Sequence, residues 1–317
     1  MKITFESFLS GSPARDYIFQ DTPYEEQIRQ AVQMLRDADF VLLGAGAGMS
    51  AAAGAQYGGD FFRENFGQFR QKYGENNPYW QDMYSAGFYP FPDEESFWGY
   101  WSKHAILGSI QLDVTPLHRT LLNALEGKQI FCLSTNVDGQ FEKAGLSKEQ
   151  IFCTQGAYTH IQCAKGCHPK TYDATDIFLQ MDGHRRDCRV PSYMVPKCPV
   201  CGGKMAMNLR SDGYFVQDRD WYAAESRFGD FLTKAADKKL VLLELGVGFN
   251  TPMIIRFPFE KLCRERENIS LIRLNLDQAV VPKSLGSRAV GINADMTQSI
   301  HDLSNALTGA FEKETQP

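Results

Sequence analysis

No stretch of the 317-residue chain stays apolar for the roughly 18 to 20 residues that a membrane span requires. The longest candidate, residues 40–55, is broken by four glycines. Positive charge is not in surplus either: 33 Lys and Arg stand against 38 Asp and Glu, a formal net charge of −5. Without a positive field, neither a nucleic-acid backbone nor an anionic membrane is an expected partner. The opening residues, MKITFESFLSGS, carry one Lys, an early Glu and no apolar core, so they are not read as a secretory signal. A cytoplasmic location is the expectation. In that reducing compartment eight cysteines point to metal ligands or isolated core thiols before disulfides. Internal repeats and low-complexity tracts are missing as well.

What is present is an ordinary globular composition, 43% hydrophobic and 22% charged, in a chain long enough for one large domain or two modest ones. Thr22-Pro23-Tyr24-Glu25 reads as N-cap, first-turn proline and capping-box glutamate of a helix that carries Ile28, Val32 and Leu35 on one face. Residues 39–43 then form an apolar run ending in Gly44-Ala45-Gly46-Ala47-Gly48-Met49-Ser50, a strand, glycine loop and helix. The same grammar recurs where 129–133 ends in Ser134-Thr135-Asn136-Val137-Asp138, 240–245 in Gly246-Val247-Gly248, and 271–274 in Asn275-Leu276-Asp277. Runs apolar throughout suit strands covered on both faces, so the fold class is α/β, a parallel sheet with helices on both sides. A closing helix with Ile300, Leu303, Leu307 and Phe311 on one face completes the layer. Ligands of such sheets bind beyond the carboxyl ends of the strands, where these polar loops gather.

Two insertions interrupt the sheet. Residues 57–101 hold 16 of the 39 aromatic residues and three of the four tryptophans, which predicts an aromatic-rich helical cap. Those rings either fill the cap's own core or wall a ligand, with Tyr57 and Phe61 foremost. Residues 163–215 contain Cys163-x3-Cys167 and, 30 residues on, Cys198-x2-Cys201-Gly202-Gly203. Two knuckles presenting two thiolates each make the four-sulfur tetrahedron that zinc takes in closed, structural sites; the alternatives are a pair of disulfides or cysteines merely buried. His160, His168 and Cys188 are possible substitute ligands.

The glycine loop 44–50 contains Gly46-x-Gly48-x-x-Ala51, a loose dinucleotide fingerprint or a turn used only for packing. A dehydrogenase would next show a second strand with an acidic residue about 20 residues on, and the aromatic segment stands there instead. Asn136 and Asp138 lie at a strand end, as ligand groups or as helix caps.

Taken in order, the glycine loop, Thr135-Asn136-Val137-Asp138, a strand running into Gln155-Gly156, Cys-x3-Cys and Cys-x2-Cys resemble the sirtuin family. The likeness spans roughly residues 28–307 and extends to Pro116-Leu117-His118, Asn275-x-Asp277 and Ala294. It implies a Rossmann-like NAD domain over 22–162 and 216–317, interrupted by the cap, with a zinc-binding module over 163–215. NAD is then consumed rather than reduced. The resemblance implies cofactor contacts from Gly44, Ala45, Gly46, Ala47, Gly48 and Met49, from Gln56 and Tyr57, and from Gly246, Val247 and Gly248. It implies further contacts from Asn275, Asp277 and Ala294, and catalytic roles for Asn136, Asp138 and Gln155 beside the nicotinamide ribose.

The departures from the family pattern are informative. Deacylating sirtuins carry His-Gly where this chain has Gln155-Gly156, and an amide cannot accept a proton from a ribose hydroxyl as an imidazole does. Met205-Ala206-Met207-Asn208-Leu209-Arg210 replaces the acyl-lysine groove motif Val-Val-x-Phe-Gly-Glu, and Gly246-Val247-Gly248 replaces Gly-Thr-Ser. Gln56 and Tyr57 stand where Pro-Asp-Phe-Arg is usual, with Arg63 as a substitute arginine. This combination resembles the macrodomain-linked microbial sirtuins of class M. That likeness implies protein mono-ADP-ribosylation, with a lipoylated carrier related to the glycine cleavage H protein as acceptor and a macrodomain hydrolase as functional partner. A deacylase using another base such as His160, an NAD glycohydrolase, and a non-catalytic NAD or ADP-ribose sensor are the alternatives.

Overall fold

The computed structural model describes residues 4–309, so Phe311 of the expected closing helix lies outside the described residues. By contacts the chain divides into two compact units, one formed by 1–54, 114–154 and 220–317 and the other by 55–113 and 155–219.

The first unit is built on six strands: β1 (Phe40–Ala45), β2 (Gln129–Ser134), β3 (Ile151–Cys153), β4 (Leu240–Leu245), β5 (Ile269–Asn275) and β6 (Ala289–Asn293). All pairings are parallel and the order across the sheet is β6-β5-β4-β1-β2-β3. That is the doubly wound Rossmann order, with the direction of winding reversing between β1 and β4. The inner strands are apolar at most positions because each is covered twice. Val41, Leu43, Val241 and Leu243 pack under helices Tyr24–Asp37, Pro116–Ala124 and Met296–Thr308. Leu42, Leu242 and Leu271 point the other way, into a core completed by Phe228 and Phe259 of helices Arg219–Lys234 and Arg256–Glu265.

Two local expectations change. Pro23, not Thr22, is the N-cap of helix Tyr24–Asp37, with no side-chain cap bond. Thr22 instead accepts a hydrogen bond through its carbonyl from Gln27 Nε2 at 3.1 Å, so the capping box does not form. Residues 5–20, given no element above, are bound to this unit. Phe5 and Phe8 enter the second core, and Gln20 bonds Ala289 O and Gly291 N at the sheet edge.

In the second unit, 57–101 is helical as expected, with Gly59–Tyr73 and Glu94–Ala105 as its main helices. Phe62, Phe66, Phe69, Trp80 and Tyr100 form its buried aromatic core. The zinc-binding segment supplies an antiparallel three-stranded sheet with Gly156–Cys163 in the centre, flanked by Thr171–Asp173 and Met205–Leu209. The cap and this segment group as one unit: helix Glu94–Ala105 packs on helix Thr175–His184 with Trp98 against Phe178, and Arg189 pairs with Asp93 and Lys197 with Glu94. Gly99 also leaves no room for a side chain: a Cβ there would lie 2.2 Å from the Cys188 carbonyl oxygen. Among the described residues no helix is long and apolar enough to cross a membrane.

Candidate active site

The reversal between β1 and β4 brings two glycine loops face to face at their carboxyl ends, where ligands of such sheets bind. Gly48 N donates to Gly246 O at 3.0 Å, and Gly46 N to Leu245 O at 2.9 Å. A Cβ on Gly48 would stand 2.7 Å from Gly246 Cα, and one on Gly246, whose φ is +62°, 2.5 Å from Gly48 Cα. The glycines are therefore required by the approach of two backbones. Gly48→Ala is expected to cost about 1–3 kcal/mol of stability by forcing these loops apart, a loss that thermal unfolding of the variant checks.

Beside these loops the end of β2 turns inward. Asn136 Nδ2 donates to Gly46 O at 2.9 Å and to Ser50 Oγ at 3.1 Å, and Ser50 Oγ donates to Asp138 Oδ2 at 2.5 Å. Asp138, 4% exposed, also accepts from the backbone N–H of Gln140 at 3.0 Å. Asn136 and Asp138 are thus cross-linked to the glycine loop through Ser50, whose role as the link sequence reasoning missed. His118 is buried with its Nδ1 2.6 Å from Thr115 Oγ1. Burial pushes its pKa down to about 4, against the upward pull of Asp138, so the imidazole is neutral. Desolvation pushes the thiols of Cys132 and Cys153 up, that of Cys153 to about 12, so neither is a thiolate near neutral pH.

The ends of β4 and β5 close the same side of the first unit. Asn275 is buried, and its Nδ2 donates to Val247 O at 3.1 Å. Ala294 N donates to Asn275 O at 3.2 Å, tying in the end of β6. Asp277 is exposed on the 275–278 loop, and Gly248 is half-buried against Gln278. Gly44 and Ala45 lie inside β1, and a Cβ on Gly44 would meet Ile255 at 2.5 Å and Phe259 at 2.7 Å. Ala47 is exposed at the start of the short helix after β1, and Met49 is fully buried beneath it.

Gln155, Gln56 and Tyr57 belong to the second unit. The Gln155 carbonyl accepts from Arg210 N at 3.1 Å, and Gly156, at φ +90°, presses its α-carbon against Asn208 O. The half-buried side-chain amide of Gln155 has no hydrogen-bond partner among the described residues. Tyr57 packs on the aromatic core while Gln56 is exposed.

The four cysteines Cys163, Cys167, Cys198 and Cys201 converge in the same unit, with all sulfurs within 4.8 Å of one another. Cys163 and Cys201 are 3.8 Å apart, Cys167 and Cys198 3.6 Å. Zinc–sulfur bonds of about 2.3 Å in a tetrahedron set sulfur edges near 3.8 Å, so the cluster fits zinc and excludes disulfides. Backbone N–H groups, that of Cys167 foremost, pull the Cys163 thiol down to about 6 and so favour the ligating thiolate. His168 Nδ1 sits 3.0 Å from Cys167 Sγ as a neighbour of the four sulfurs, and Cys188 lies instead in the aromatic core.

No family model matches the chain. It is 31% identical over 282 residues to a protein ADP-ribosyltransferase of Staphylococcus aureus (strain Mu50 / ATCC 700699), covering 89% of this chain and 87% of that protein. Solved structures with its fold are Sir2 proteins. They include Sir2Tm bound to a propionylated peptide, with 18% identity, a TM-score of 0.53 and 89% and 98% of the two chains covered. A Sir2 homologue in complex with NAD matches with 13% identity, a TM-score of 0.54 and coverage of 94% and 98%. The chain belongs to the sirtuin family. This sirtuin is also 34% identical over 280 residues to a probable bifunctional ADP-ribose hydrolase/ADP-ribosyltransferase of Fusarium oxysporum f. sp. cubense. That match covers 83% of this chain and 45% of the fungal one.

Proposed function

We propose that this sirtuin is an NAD-dependent protein mono-ADP-ribosyltransferase of the class M type. The observation that carries the reading is the 31% identity, across 89% of the chain, to a protein ADP-ribosyltransferase. NAD supplies the ADP-ribosyl group when its bond to nicotinamide breaks and positive charge develops on the sugar. The paired glycine loops at 46–48 and 246–248 receive the pyrophosphate with backbone groups, and Gly44 to Met49, Val247, Asn275, Asp277 and Ala294 frame the remaining cofactor contacts. Asp138 holds the carboxamide of nicotinamide and Asn136 orients the ribose hydroxyls, both fixed by Ser50. The family resemblance assigns Gln155, Gln56 and Tyr57 to the nicotinamide side as well, and fixed orientation of the sugar favours its transfer.

Chemistry at position 155 separates transfer from deacylation. A glutamine amide donates and accepts hydrogen bonds but takes no proton near neutral pH, so a hydroxyl is not activated there. Acceptor carboxylates of Asp or Glu arrive ionised at pH 7 and need no base. The zinc held by Cys163, Cys167, Cys198 and Cys201 has no open position and serves the fold alone. We assign a lipoylated carrier protein as the acceptor and a macrodomain hydrolase as the enzyme that removes the mark. The bifunctional hydrolase/transferase among the relatives supports the pairing of the two activities.

Labelled NAD incubated with the protein and a lipoylated carrier domain is expected to transfer label to the carrier. Label recovered only as free ADP-ribose, or efficient deacylation of an acyl-lysine peptide, overturns the assignment.

A further inference from the structure

Beyond the glycine loops, the crevice rests on a buried charge cluster at the carboxyl ends of β4 and β5, and one member has unused donors. Arg256 opens helix Arg256–Glu265 and is 0% exposed. Its Nη2 donates to Val247 O at 2.8 Å and to Gln278 O at 2.6 Å, one carbonyl from the loop after β4 and one from the loop after β5. The same nitrogen lies 3.2 Å from Glu244 Oε1. Two shorter links run parallel to this clasp, Asn275 Nδ2 to Val247 O at 3.1 Å and Phe249 N to Gln278 Oε1 at 2.8 Å.

Behind the clasp the charges are locked. Arg273 bonds Glu244 through Nε and Nη2, both at 2.8 Å, and reaches Glu260 Oε1 at 2.8 Å. Tyr17, from the N-terminal segment, donates to Glu260 Oε2 at 2.8 Å. In front, Arg256 Nε and Nη1 are buried with no hydrogen-bond partner among the described residues, and the guanidinium lies 4.2 Å from the centre of the Phe249 ring. Phe249 is 40% exposed and meets Tyr17 edge to face at 5.6 Å.

Unpaired donors on a buried cation are costly, and buried ion pairs replaced by apolar residues of similar volume often leave a protein no less stable. A cluster kept only for stability would be better served by such residues. What they cannot supply is one planar donor bridging carbonyls of two different loops at a fixed spacing.

We infer that Arg256 is a positioning residue of the cofactor crevice, setting the 246–248 loop against the 275–278 loop in the arrangement that NAD binds. The inference rests on the reading that NAD occupies this crevice. Arg256 does not touch the reacting atoms and acts through Val247 and Gln278, so its loss weakens binding and leaves the chemical step little changed.

The test uses the full chain, with NAD as the probe: affinity by titration calorimetry, and KM and kcat from nicotinamide release. Arg256→Met is expected to raise Kd and KM for NAD at least tenfold with kcat within about threefold. Arg256→Lys, which keeps a cation that can reach one carbonyl, is expected to recover part of that loss. The double variant E244Q/R256M leaves no unpaired carboxylate, so it keeps the test alive if Arg256→Met alone does not fold. Wild-type protein that fails to bind NAD removes the functional reading itself. Wild-type protein that binds, beside folded variants whose Kd stays within twofold or which lose only melting temperature, overturns the role of Arg256.

Discussion

Asn136→Ala is expected to lower ADP-ribosyl transfer by about 10² to 10⁴ while leaving the zinc content unchanged. The size of the effect follows from how many groups one amide holds. Asn136 Nδ2 bridges Gly46 O and Ser50 Oγ, and the Ser50 hydroxyl in turn donates a hydrogen bond to Asp138. Truncation leaves the Gly46 carbonyl with Met49 N as its remaining donor, frees the Ser50 hydroxyl to rotate away from Asp138, and removes the amide proposed to orient the ribose hydroxyls. Catalysis that depends on fixed orientation loses most of its advantage when such a network slackens. Asn136→Asp is expected to fail as badly, since a carboxylate cannot donate to Gly46 O and would stand near Asp138. Ser50→Ala keeps Asn136 on Gly46 and is expected to cost less, about tenfold. Transfer by Asn136→Ala within tenfold of wild type, measured at saturating NAD with zinc content as the control, would remove the residue from the mechanism.

The parts of this molecule that the sequence displays are those whose signal is local. Apolar runs ending in Gly44-Ala45-Gly46 or Ser134-Thr135-Asn136 mark strands leading into a crevice because strand and loop are neighbours in the chain. The cysteine knuckles are legible for the same reason, two ligands lying within a few residues at each end. Strand order is not local: β4 lies beside β1 although some 200 residues separate them, and no pattern in either run names its neighbour. The N-terminal segment is silent because Tyr17 finds its partner, Glu260, 243 residues away. Glu244 and Arg273 pass as ordinary interruptions of apolar strands until the sheet puts them side by side. The capping box at Thr22 failed because the proline beside it takes the N-cap position itself. Gln155 is a different case, since its meaning comes from the family pattern it departs from; its local structure shows only that Gly156 must be glycine and that the amide is left without a partner.

The other large effect is expected at the metal. Cys198→Ser is expected to reduce bound zinc from one equivalent to less than about a tenth and to make residues 155–219 susceptible to proteolysis. The three strands Gly156–Cys163, Thr171–Asp173 and Met205–Leu209 offer few ladder bonds, and the long chain between the last two is irregular apart from helix Thr175–His184 and a helical turn at Ser192–Met194. Knuckle hydrogen bonds such as Cys198 N to Gly203 O and Gly166 N to Cys163 O, at 2.8 and 2.9 Å, shape each turn but join neither turn to the other. Ala164 N to Lys204 O at 3.0 Å and the pairing of Cys163 with Met205 link the two turns along one edge, and the shared ion links them through all four sulfurs. Structural zinc sites in small peptides bind with about 10 to 16 kcal/mol, more than most domains hold in net stability, so one lost thiolate outweighs the remaining contacts of the segment. Because thiolates bind the metal and thiols do not, acid competes with zinc, and wild-type protein is expected to release it as pH falls while the variant shows no such transition. Cys188→Ser, a buried thiol outside the cluster, is the control and is expected to keep its zinc. Full zinc occupancy in Cys198→Ser, or equal loss in Cys188→Ser, would mean that the four sulfurs do not form the site.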